Sequence, residues 1–129
     1  MSSFKTECHW ASVKNGKFIE IFALVNSAAS HCMVPSKKLE KLGVVVARRI
    51  QVKLVNAQIQ DFDLGYVRLR TTAWDNSRGC FVETAVVQVS VLFGPDSDDC
   101  AVFGANACQE CSVLVDNIEH RLTKGLPRM

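Results

Sequence analysis

The sequence predicts a mainly β domain with one or two short helices, and three observations predict it. Apolar and polar residues alternate with a period of two through 50–54 and again through 65–71, as in half-buried strands. Turn signals at Asn15-Gly16, Asp75 to Gly79 and Gly94-Pro95 break the chain into short segments. Helical spacing with both a start and a stop signal is plain in one stretch, Ser36 to Gly43. A chain of 129 residues normally closes around one core, so residues 1–129 are expected to form a single domain.

Composition excludes several classes. With 48% hydrophobic and 22% charged residues the chain has none of the signature of disorder. A net charge of +2, with Arg48-Arg49 as a tight but short basic cluster, does not make a phosphate-tracking surface, so no nucleic-acid partner is expected. Trp10, Tyr66 and Trp74 are spread along the chain and read as core or interface aromatics. The start, Met1-Ser2-Ser3-Phe4-Lys5, lacks the apolar stretch of a signal peptide, and no run is long enough for a membrane helix. A cytoplasmic location with reduced cysteines is the expectation, and no membrane partner.

Lys17 to Val25 is rich in strand formers and becomes continuously apolar at its end, as a strand entering a core does. The hairpin signal Asn15-Gly16 before it predicts that Trp10 to Lys14 pairs back on that strand. Ser36 is expected to cap a helix through Leu42, with Leu39 and Leu42 inward and Gly43 as a left-handed stop. Ile50 to Leu54 and Gly65 to Thr71 read as the arms of a hairpin whose tip lies near Val55-Asn56-Ala57-Gln58. A tight turn there favours Asn-Gly, so Ala57 must accept an unfavourable dihedral or another turn must form. Phe81 to Phe93 reads as one uninterrupted strand, followed by the acidic loop Gly94 to Asp99.

Two short motifs carry a resemblance. Leu24-Val25-Asn26-Ser27-Ala28-Ala29-Ser30, an apolar strand running into a small-residue turn, resembles the active-site loop of retroviral-type (retropepsin-like) aspartic proteases. Asn26 stands where that family has its catalytic aspartate, Ser27 where it has threonine, and Ala28 where it has glycine. Cys100 to Asn106, an apolar pair followed by glycine, a small residue and Asn, resembles the family's second signature. The resemblance spans most of 17–127 and is greatest to bacterial and archaeal single-domain members. It implies a closed acid-protease barrel with one active-site loop per chain. Val102, Phe103 and Gly104 would thread beside the loop into a helix over Ala105 to Ser112, then a closing strand at Val113 to Val115. Asn56, Ala57 and Gln58 would form a flap. A complete site then needs a homodimer, with a peptide or protein substrate held extended under the flap. No cofactor is implied.

The family chemistry needs two carboxylates sharing one proton, one activating water while the other protonates the carbonyl. An asparagine amide does neither, so the resemblance implies an aspartic endopeptidase homologue that is inactive or strongly impaired yet still binds peptide. Asp116, in Val115-Asp116-Asn117, lacks the small residues of an active-site turn and reads as an ordinary turn aspartate. The contrasting reading is a non-catalytic β-barrel interaction module, its sharpest form a metal site built from Cys8, His9, Cys108 and Cys111. The blander reading of Cys108 and Cys111, one helical turn apart, is core thiols, with no metal. The neighbours His31 and Cys32 suggest a thiol nucleophile and its base, but adjacent side chains in an extended segment seldom face each other.

Overall fold

The structure, a computed structural model, describes residues 4–14, 16–54, 56–97 and 100–125. Near its start β1 (Lys5–Thr6) and β2 (Cys8–Ser12) are parted by Glu7 alone, and β3 (Ile19–Glu20) and β4 (Ala23–Val25) lie opposite them. β1 pairs antiparallel with β4 through Thr6↔Ala23, and β2 with β3 through Trp10↔Ile19. The expected hairpin therefore forms, but as two short ladders rather than one strand over Lys17 to Val25. The break falls where the strand changes partner: Ile21 turns inward and its N–H bonds Cys8 O at 3.0 Å, while Phe22 faces out. Asn15, half of the turn signal, lies outside the described residues. Trp10 is fully buried, and its indole Nε1–H donates to Ile21 O at 3.1 Å, so the core accepts its one polar atom without penalty.

β5 (Cys32–Pro35) feeds α1 (Ser36–Leu42). The predicted stop holds: Gly43 has φ +81°, its N–H bonds Glu40 O, and Val44 N–H reaches back to Leu39 O, closing the helix in a Schellman motif. Leu39 and Leu42 are buried as expected. The start differs. Ser36 Oγ donates to Gly94 O at 2.8 Å instead of capping, and the carboxylate of Asp96 accepts Lys37 N–H at 2.9 Å. Pro35 occupies the cap position with no side-chain acceptor, so the acidic loop supplies one from 59 residues away. Asp98 and Asp99 of that loop lie outside the described residues.

β6 (Arg48–Lys53) pairs antiparallel with the first residues of β7 (Ile59–Asp75), from Arg48↔Leu64 to Lys53↔Ile59. The hairpin is present, but its second arm is Ile59 to Leu64, not Gly65 to Thr71, because β7 is a single strand of 17 residues. The middle of β7 pairs with β9 (Val87–Gly94) on one side and with β2 on the other. Its end pairs with β8 (Cys80–Glu83) through Trp74↔Phe81. The uninterrupted strand expected over Phe81 to Phe93 is thus two strands. Between them Thr84, Ala85 and Val86 face only Arg70 and Thr71, a β-bulge that bends the chain from one part of the sheet to the next. Thr84 holds it with two bonds: its N–H to Thr71 O at 2.8 Å, and its Oγ1 accepting Thr71 N–H at 3.0 Å.

The remaining elements are β10 (Val102–Phe103), α2 (Ala105–Glu110), β11 (Val113–Asp116) and β12 (Arg121–Lys124). α2 ends before the expected Ser112, which sits at φ +55° and turns the chain into β11. The closing strand is one arm of a hairpin with β12, which lies parallel to β7 at Thr123↔Trp74. Among the described residues the strand path runs β1-β4-β10-β5-β9-β7-β12-β11 and ends at β1 and β11, so the ring closure expected of a barrel is not among the observed pairings. Trp10, Leu39, Leu64, Leu69, Phe103 and Leu122 are the large core side chains, each contributing about 1.5–3 kcal/mol by burial. Among the described residues no helix is long and apolar enough to cross a membrane.

Candidate functional site

β4 delivers the chain into the core at buried Val25 and the turn begins at once. Asn26 N–H donates to Phe103 O at 3.1 Å, and its Oδ1 accepts Ala28 N–H at 3.0 Å. Ala29 N–H returns to Asn26 O at 3.1 Å, so the residue caps its own turn twice. Ser27, Ala28 and Ser30 are exposed, and Asn26 and Ala29 half-buried.

β10 runs parallel to β4, with Val102↔Leu24 and Phe103↔Val25, and antiparallel to β5 at Val102↔Met33, so it threads between the strands that enter and leave the Asn26 loop. Gly104 is the point of closest approach: a Cβ there would come within 2.5 Å of His31 O and 2.9 Å of Ala29 O. Ala105 N–H then bonds Ala29 O at 2.7 Å, tying the start of α2 to the loop.

A cavity of about 210 Å³ lies between this loop and the β6–β7 hairpin. Asn26, Ala28, Ala29, Ser30 and His31 line one side, and Val52, Lys53, Leu54 and Phe62 the other. The expected flap residues Asn56, Ala57 and Gln58 form the hairpin tip, all exposed, and do not line the cavity. The arms do so instead, because the tip turns on itself: Asn56 Oδ1 accepts Gln58 N–H at 3.1 Å, and Ala57 takes φ +66°, the unfavourable dihedral. The lining from Phe62 was missed, although the apolar-polar-apolar triplet Phe62-Asp63-Leu64 continues the alternation of β7 upstream. No carboxylate is among the lining residues. Asp116 is, as expected, a turn residue, its Oδ1 accepting the N–H groups of Ile118 and Glu119.

His31 is a titratable residue of the cavity lining. Its Nδ1 lies 3.1 Å from Ser90 Oγ, which also accepts from Asn106 Nδ2 at 3.1 Å. Asn106 Nδ2 holds Ser90 O as well, at 3.0 Å. Partial burial, and then the positive charge of Arg48, lower the His31 pKa below its ordinary 6.5. The ring bonds Ser90 and not Cys32. Cys32 is fully buried, burial pushes its thiol up to about 12, and its Sγ points at Asn106 Oδ1 at 3.4 Å, so His31 and Cys32 form no nucleophile–base pair.

The four-ligand cysteine site is not assembled either. Cys8 and His9 are successive strand residues and face opposite sides of the sheet; Cys8 is buried against Thr71. Cys108 lies in α2 and Cys111 at its end, both half-buried with thiols raised by burial, in the manner of core residues. Both border a wider groove of about 860 Å³ that shares no residue with the Asn26 cavity.

No family model matches the chain, and no curated protein does. Among solved structures the chain is similar to the retroviral protease-like domain of Ddi1 from Leishmania major, at 15% identity and a TM-score of 0.48 over 96% of this chain and 95% of that one. That likeness does not extend to kinship with bacterial or archaeal members.

Proposed function

We propose that the chain is a retropepsin-like, aspartic-protease-derived domain that holds an extended peptide between the Asn26 loop and the β6–β7 hairpin and does not cleave it. One observation carries this reading: the loop at Asn26 is interlocked with β10 at Gly104 under a hairpin-roofed cavity that has no carboxylate in its lining. An amide cannot take a proton from water, so the acid–base step of the family has no agent here. Completion of the site by a second copy, each contributing one Asn26, belongs to the same proposal. So does a reducing, cytosolic setting, in which cysteines ordinarily stay reduced.

The test is Asn26→Asp combined with Ala28→Gly, compared with the unaltered chain on a mixed peptide library from pH 4 to 7. The unaltered chain should bind without cutting and the double variant should cut. A folded, dimeric double variant that stays inert, or a chain that sediments as a monomer at micromolar concentration, overturns the proposal.

A further inference from the structure

On the face of the sheet away from the core, three metal-ligating side chains converge. His9 on β2 pairs with Glu20 on β3 in register, which sets their side chains on one face. Glu7, two residues before His9, comes to the same face, and its backbone is anchored by Thr71 Oγ1, which donates to Glu7 O at 2.7 Å. His9 Nε2 lies 3.7 Å from Glu7 Oε1 and 3.6 Å from Glu20 Oε2, and the ligand atoms of all three stand within 4.8 Å of one another.

These separations are too long for hydrogen bonds, which close at about 2.7–3.2 Å. They are close to the edge of a coordination polyhedron: with zinc–nitrogen and zinc–oxygen bonds of about 2.0–2.2 Å, neighbouring tetrahedral ligands stand roughly 3.3–3.6 Å apart. The charge distribution points the same way. Among the described residues neither glutamate has a lysine or arginine partner. Arg70, paired with His9 across β2 and β7, sends its guanidinium over the Phe18 ring at 4.7 Å.

We propose that Glu7, His9 and Glu20 bind one divalent transition-metal ion of the zinc class, with the remaining position open to water. One imidazole nitrogen and two carboxylate oxygens suit such an ion; calcium and magnesium take oxygen donors and gain little from the imidazole. The ion cross-links β2 to β3 at the break where Glu7 separates β1 from β2. It therefore staples the N-terminal hairpin, on a part of the sheet that shares no residue with the Asn26 cavity.

Titration of the full chain with zinc chloride, followed by calorimetry and by the thermal midpoint, tests this. One equivalent should bind and raise the midpoint, and excess magnesium or calcium should not displace it. Glu20→Gln, which keeps the size and hydrogen-bonding capacity of the side chain, should abolish both effects, as should His9→Ala. His120→Ala should leave both in place. Cobalt in place of zinc should show no intense thiolate charge-transfer band. Absence of saturable binding, binding that survives Glu20→Gln and His9→Ala, or a thiolate band that assigns the ion to the cysteines would each overturn the proposal.

Discussion

Replacing Gly104 by alanine tests the interlock on which the site depends. The glycine's φ of −91° is open to any residue, so the backbone angle raises no objection; the space does. The added Cβ would stand 2.5 Å from His31 O, 2.6 Å from His31 C and 2.9 Å from Ala29 O. All three are main-chain atoms, and no rotamer can move them aside. Relief requires β10 and α2 to retreat from the loop, stretching the 2.7 Å bond from Ala105 N–H to Ala29 O. Overpacking of this kind costs about 1–3 kcal/mol, and a clash confined to backbone belongs at the upper end, about 3 kcal/mol. At roughly 3–5 °C per kcal/mol for a chain of this size, the thermal midpoint should fall by about 10–15 °C. Gly16→Ala is the control, since a Cβ there meets nothing within 4 Å, and its stability should stay within about 0.5 kcal/mol of the parent. Urea denaturation followed by circular dichroism reads both. A Gly104→Ala chain as stable as the control refutes the close crossing and the site built on it.

Two further outcomes follow from charge. Asp75 is held below the ordinary carboxylate range by Ser77 Oγ–H at 2.6 Å, aided by the N–H groups of Ser77 and Arg78 and by the charge of Lys124. A depressed acid stabilises the fold above its unfolded pKa and loses that contribution as pH falls through its lower folded one. Stability should therefore drain on the acid side of the carboxylate range, and Ser77→Ala should reduce the difference between urea midpoints at pH 7 and pH 3. For His31 the sign is the same: a lowered base favours the neutral ring in the fold, so stability falls as pH drops below about 6.5. Its imidazole resonances should titrate with a midpoint under 6.5, and Arg48→Gln should move that midpoint upward. An unchanged value in Arg48→Gln would assign the whole shift to burial.

What the sequence disclosed was local. Gly43 was legible as a helix stop because glycine alone adopts that dihedral freely, and the conflict at Ala57 was visible because alanine does not. Asn26 and Gly104 could be singled out as motifs, but their contact could not, since it joins residues far apart in sequence through a two-residue strand too short to announce itself. The same distance hid Asp96 as the cap of α1 and Ser90 as the partner of His31. The bulge at Thr84 to Val86 was invisible because it depends on which residues of β7 lie opposite, and periodicity along one strand does not contain that. The grouping of His9 with Glu20 was hidden by the turn. A two-residue loop at Asn15-Gly16 would set His9 opposite Phe22, whereas the actual register sets it opposite Glu20.

The bond from Ala28 N–H to Asn26 Oδ1 has a consequence for the history of such a chain. An aspartate at that position offers the same oxygen to the same N–H, so the turn is indifferent to which of the two residues it holds. What distinguishes them is one terminal group, NH2 or oxygen, that this hydrogen bond never touches. A lineage could therefore exchange the two residues at this position by a single codon change without passing through a misfolded ancestor, and selection on the stability of the turn alone would not notice the exchange.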